Sequence, residues 1–175
     1  MDRKSEGALL IISAFAIAAA VLYFSRDIEG LAAFGYGGAF LIALLSSATI
    51  LFPAPGWAAV IAMSAYLNPV LLGVAAGTGA AIGELTGYVA GEGARDILNS
   101  RVKETKNIEE LVRKYGMLAI FALAFLPNPV FDIAGVVAGS MRMPWWRFLI
   151  ACAAGRVLRY VLLAMLGAFT FGLIS

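Results

Sequence analysis

The chain has 175 residues, of which 62% are hydrophobic and only 14% charged, and its mean hydropathy is +0.89. That leaves too little polar surface to coat a water-soluble globule of this size, so composition assigns an integral membrane protein with a single domain over residues 1–175. A net charge of +2 without a dense basic patch excludes nucleic-acid binding, and a single cysteine, Cys152 inside an apolar run, excludes an internal disulfide.

The first apolar run, 8–24, follows Arg3 and Lys4. It continues past the small residues Ala18, Ala19 and Ala20 to Phe24, so it reads as an uncleaved N-terminal transmembrane helix rather than a secretory signal. Residues 25–30 form a short polar turn, and 31–52 is again long enough to cross the bilayer or dip into it. Pro53-Ala54-Pro55-Gly56 then stops the helix, because proline donates no backbone hydrogen bond and forces its predecessor out of the α region. Within apolar sequence such a break must be buried in protein or line a wet cavity. The following dozen residues, 56–67, span roughly 18 Å against a hydrocarbon core of about 30 Å. Residues 35–67 are therefore expected to form a re-entrant hairpin with Pro53 and Pro55 at its tip, and 70–90 a full span.

The same template recurs. Phe52-Pro53-Ala54-Pro55 is followed after thirteen residues by Pro69, and Leu126-Pro127-Asn128-Pro129 after fourteen by Pro144. Fifteen residues beyond the last proline of each copy stands an ion, Glu84 in one and Arg159 in the other. The second copy, 116–172, enters over 117–126, breaks at Pro127 and Pro129, returns over 130–140 and ends in a long helix to about 171. The expected fold is thus all-α and membrane-integral, an inverted repeat (35–90 and 116–172) of re-entrant hairpin plus transmembrane helix, with the hairpin tips meeting inside the bilayer.

Charge placement orients it. Arg3 and Lys4 precede the first helix, six cations lie in 91–115 (Arg95, Arg101, Lys103, Lys106, Arg113, Lys114), and Arg142 and Arg147 flank the second hairpin's exit, whereas the opposite side holds only Arg26. The positive-inside rule puts the N-terminus and the 91–115 loop in the cytoplasm of a cell-membrane protein. That loop is itself patterned: Ile97, Leu98, Val102, Ile108, Leu111, Val112 and Tyr115 recur at near-helical spacing, and Asn107 with Glu110 predicts a helix start that runs to Gly116 on the membrane surface. Trp145 and Trp146 read as an interfacial belt.

Gly79, Gly83, Gly87 and Gly91 form a ladder of small residues against which one hairpin is expected to lie. The run 77–83 is no dinucleotide loop, having one residue too many and no strand before it. Four ions fall at membrane depth: Glu84, Asp132, Arg156 and Arg159. Isolated charges there cost about 3 kcal/mol each, so they should pair, Glu84 with Arg159 and Asp132 with Arg156, or face a wet cavity. Half-helices that begin just after Pro55 and Pro129 would aim the N–H groups near Gly56 and Val130 at the membrane centre, where such ends attract anions. With Arg156, Arg159 and the Asn128 amide, the site suits a phosphate-like group rather than a metal cation, and no cofactor is expected. In a chain without histidine, Glu84 and Asp132 are the groups able to carry a coupling proton.

Gly79-Ala80-Ala81-Ile82-Gly83-Glu84-x3-Tyr88-x2-Gly91, the two Pro-x-Pro hairpins and the run from Gly139 to Phe148 through Arg142-Met143-Pro144 together resemble the DedA family, also called the VTT or SNARE-associated domain family, over about 45–170. The resemblance implies two opposed re-entrant helices and a role in moving lipids between leaflets, polyprenyl phosphates in prokaryotes and phospholipids in eukaryotes, in some members linked to the proton motive force. By position it carries over Glu84 as the family's acid, Tyr88 as the tyrosine after it and a candidate substrate contact, and Arg142 and Phe148 around the Met-Pro turn. The chain departs from many bacterial members at Ser46 and Ser47, where they have an acid, and at 124–130, which lacks the family's two hairpin arginines. Arg156 and Arg159 are the candidate replacements. The reading is a non-enzymatic lipid translocase or scramblase with membrane lipids as partners. The competing reading is a proton-coupled small-ion or solute transporter, and a homodimer is left open. Intramembrane enzymes lack their usual base here, since there is no histidine and no pair of close aspartates.

Overall fold

The computed structural model describes residues 34–48, 56–93, 103–126 and 131–174. The N-terminal run 8–24 and both proline breaks, with Pro53, Pro55, Pro127, Asn128, Pro129 and Val130, lie outside these residues. The described residues form helices joined by turns: α1 (Gly35–Ala48), α2 (Gly56–Met63), α3 (Pro69–Gly83), α4 (Leu85–Gly93), α5 (Lys103–Tyr115), α6 (Met117–Phe125), α7 (Phe131–Ser140) and α8 (Trp145–Ile174). Among the described residues, two stretches are long and apolar enough to cross a membrane, Pro69–Gly93 with 25 residues and Trp145–Gly172 with 28.

Local chemistry sets these boundaries. Asn68 caps α3, its side-chain oxygen accepting from the Val70 and Leu71 amides at 3.0 and 3.2 Å, and Pro69 occupies the first turn, where its missing N–H costs nothing. Gly116, at φ +56°, separates α5 from α6. The first span, expected as one helix over 70–90, has its regular pattern interrupted at Glu84, between α3 and α4. The surface helix starts at Lys103 rather than at Asn107, because Lys103, Glu104 and Lys106 are good helix formers that let it propagate toward the N-terminus. It buries Ile108 and Val112 and leaves Lys106, Arg113 and Lys114 exposed.

Glycines decide how the helices meet. A Cβ on Gly73 or Gly77 would collide with the backbone of Val161 or Val157, so α3 and α8 cross antiparallel at close range. A Cβ on Gly79 or Gly83 would strike the carbonyl of Phe40 or Leu44, which places α1 parallel to α3. Gly91 lies against the Val136 carbonyl and Gly139 against that of Tyr88, which sets α7 along α4. On α8, Gly155 meets the Phe121 carbonyl of α6, and Gly167 meets Ile61 and Ser64 at the end of α2. The glycine ladder of the first span is therefore shared: α1 takes Gly79 and Gly83, and α7 takes Gly91, where one hairpin was expected to take all of it. Gly87 is buried in the same span.

Candidate functional site

Among the described residues, Glu84 and Arg156 are the ions enclosed by this packing, with residue exposures of 4% and 8%. Arg156 donates from a terminal guanidinium nitrogen to Glu84 Oε1, so the buried acid of the first span is paired with a base of the second. Arg159 had been expected as its partner from the matched spacing after the prolines. The crossing explains the difference. Val157 and Val161 form the contact line with α3, and Arg159, two residues past Val157, is turned about 200° around the helix from it, whereas Arg156 flanks it. Arg159 remains half-buried one turn along α8. Arg156, expected to pair with Asp132, is joined to Glu84. Asp132 lies in the first turn of α7, and its side chain falls outside the described residues.

The ends of the broken helices converge on this pair. Thr86 Oγ1 donates to the Ala48 carbonyl at 3.2 Å and to that of Gly83 at 2.9 Å, which brings the last residue of α1 beside Glu84. Gly135, one turn into α7, lies against the Glu84 carbonyl and the Tyr88 amide. Gly56 opens α2, buried against Ser46 on α1. Glu84 thus sits where α1 ends and α7 begins, roughly 22 Å along the span from Pro69 and 14 Å from Gly93 by helical rise.

Tyr88, expected at a substrate contact, has its hydroxyl committed to the Met143 carbonyl and its ring on Phe148, with centroids 5.2 Å apart at 30°. It ties α4 to the turn that launches α8. Phe148 is fully buried there, and Arg142 is exposed in that turn at φ +55°. Thr86, Gly155 and Gly167 were missed from sequence. A usable signal existed for the glycines: Gly155 and Gly167 stand twelve apart on α8, as Gly79 and Gly91 do on the first span.

Comparison with known proteins gives a match to the VTT domain over residues 52–169. The chain is 39% identical to human vacuole membrane protein 1 over 51 residues, covering 29% of this chain and 13% of that protein. It is 28% identical to the Dictyostelium discoideum vacuole membrane protein 1 homolog over 106 residues, 46% of this chain and 26% of that protein. Against Arabidopsis thaliana vacuole membrane protein KMS2 it is 41% identical over 39 residues, 22% of this chain and 9% of that protein. The chain therefore spans about a quarter or less of the length of these curated relatives. No solved structure matches it significantly.

Proposed function

Since the chain belongs to the VTT-domain family and seats a buried acid–base pair where helices break, we propose that it moves a phosphate-bearing lipid, polyprenyl phosphate or phospholipid, between membrane leaflets. The observation that carries this reading is the Glu84–Arg156 pair flanked by the end of α1 and the start of α7. A buried ion pair is weak as a stabilising device, since its desolvation cost can exceed its Coulombic gain, so its retention in a bilayer points to use.

The inverted repeat and its re-entrant hairpins are part of the proposal, and the glycine contacts support them. In each half, the entering arm (α1 or α6) lies against its own span under a glycine, Gly79 or Gly155. The returning arm lies against the other half's span under a second glycine twelve residues on: α7 at Gly91, α2 at Gly167. That exchange is what a two-fold axis in the membrane plane would produce.

In this reading a lipid phosphate competes with Glu84 for Arg156. Arg159, Asn128 and the amides near Gly56 and Val130 complete its anion site, and protonation of Glu84 or Asp132 frees the arginine. The N-terminus and the 91–115 loop lie on the cytoplasmic face of a cell membrane. Liposomes carrying headgroup-labelled lipid test this. Purified protein should accelerate leaflet exchange over empty vesicles, and Glu84→Gln, which leaves no carboxylate at this position to displace the phosphate from Arg156, should slow it about tenfold or more, the scale of one charge-assisted contact. Arg159→Gln, outside the ion pair, should slow it with folding intact. Exchange equal to that of empty vesicles rejects the proposal. Uptake of a soluble anion without lipid exchange would favour the solute-transporter reading instead.

A further inference from the structure

A second feature lies where α5 meets α6 and where α7 turns into α8. Val112, Gly116, Met117, Met141, Met143 and Arg147 enclose a half-open cavity of about 200 Å³. That exceeds the roughly 150 Å³ of an apolar cavity that stays dry and takes up benzene. Three of its six walls are methionines, whose flexible, polarisable side chains adapt to an irregular apolar guest. Among the described residues the one charge in the lining is the Arg147 guanidinium, and no acid lines it.

The surroundings fix the depth at which this cavity sits. Trp145 and Trp146 are exposed beside it, and the Arg147 guanidinium lies 5.1 Å from the Trp146 ring centroid. Exposed tryptophans and arginines at a span's end mark the headgroup level of a bilayer. One turn further in, the exposed side chains are Leu118 on α6 and Ile150 on α8, both suited to hydrocarbon. Arg142, and Arg113 and Lys114 at the end of α5, add cations at the same level. The opening therefore spans the boundary between headgroups and acyl chains, cationic outside and apolar within.

We infer that this cavity is a resident site for one anionic phospholipid, with an acyl chain among Met117, Met141 and Met143 and the phosphate on Arg147. The inference stands on the membrane embedding and does not rest on the translocase reading. A lipid held here would fasten the surface helix α5 to the turn that positions Tyr88 and α8.

The test uses the full chain carrying Trp57→Phe, which leaves Trp145 and Trp146 as the reporters, reconstituted in phosphatidylcholine vesicles with brominated phosphatidylglycerol or brominated phosphatidylcholine as quencher. Brominated phosphatidylglycerol should quench at about tenfold lower mole fraction than the zwitterionic lipid, as expected for one charge-assisted contact. Arg147→Gln, an exposed position that should not disturb folding, should erase that preference. Met117→Phe, which narrows the cavity, replaces a flexible wall with a rigid ring and leaves the cations in place, should weaken quenching by the anionic lipid. Equal quenching by both lipids overturns the inference. So does a preference that survives Arg147→Gln, which would mean diffuse surface attraction, or one unaffected by Met117→Phe, which would mean no chain enters. Leaflet exchange is not a readout here, so failure of this site and failure of the translocase reading are separable.

Discussion

Over its most apolar window the span Pro69–Gly93 is 56% buried, and Trp145–Gly172 only 33%. The first is the hub: α1, α7 and α8 lie against it, and it meets them through Gly73, Gly77, Gly79, Gly83 and Gly91 rather than through large side chains. The second carries the bulk and turns Leu158, Leu162, Met165, Leu166 and Phe169 outward. In lipid there is no hydrophobic gain from hiding leucine, so close backbone approach must drive association, and the more enclosed span is the one with the smallest residues at its contacts. The acid sits on the crowded span and its arginine on the open one.

The largest effect should come from splitting that pair. Glu84→Met alone takes this acid away from a buried guanidinium, and Arg156→Met alone takes this base away from a buried carboxylate; each should cost about 3–5 kcal/mol. The double replacement removes both charges and should recover most of the loss, while leaflet exchange stays abolished. Thermal unfolding of the purified protein in detergent reads the first quantity and the vesicle assay the second. A double variant that retains exchange would show the pair to be a staple.

Next come the glycines that make the first span a hub. Gly79→Ala and Gly91→Ala each push a methyl group into a neighbour's carbonyl and should cost about 1–3 kcal/mol. Gly155→Ala and Gly167→Ala, at the corresponding places on α8, should cost a similar amount. Gly93→Ala meets no neighbour and should stabilise the helix by up to about 1 kcal/mol. If the α8 pair proved neutral while the first-span pair did not, the exchange of arms between halves would lose its support.

Tyr88→Phe is gentler. It keeps the ring on Phe148 and removes only the hydrogen bond to Met143, for about 1 kcal/mol in the same unfolding measurement.

Much of this was legible because proline and glycine act locally. Pro69 behind Asn68, Pro144 before α8 and Gly116 between α5 and α6 mark boundaries that no packing has to decide. The partner of Glu84 was not legible for the opposite reason. Arg156 and Arg159 are three residues apart on one helix, and the matched spacing after Pro69 and Pro144 favours Arg159. The choice is made by the rotation of α8 about its axis, fixed when Val157 and Val161 settle over Gly77 and Gly73. Sequence spacing carries the register of a helix, but not its rotation against a partner. The sharing of the glycine ladder by α1 and α7 was hidden likewise, since small residues show that something approaches and not what does.

The smallest effect belongs to the second described ion pair, which sharpens the contrast between buried and solvated charge. Arg113 and Glu109 stand one turn apart on α5 with 3.1 Å between nitrogen and oxygen, and their side chains are 75% and 41% exposed. Water screens both groups and holding them together costs side-chain freedom, so Glu109→Gln should lower stability by about 0.5 kcal/mol or less, and by less still at high salt. The same unfolding assay used for Glu84→Met checks it. A loss comparable to that of the buried pair would mean that α5 lies deeper in the bilayer than its exposed Lys106, Arg113 and Lys114 imply, since only removal from water would raise the value of that contact.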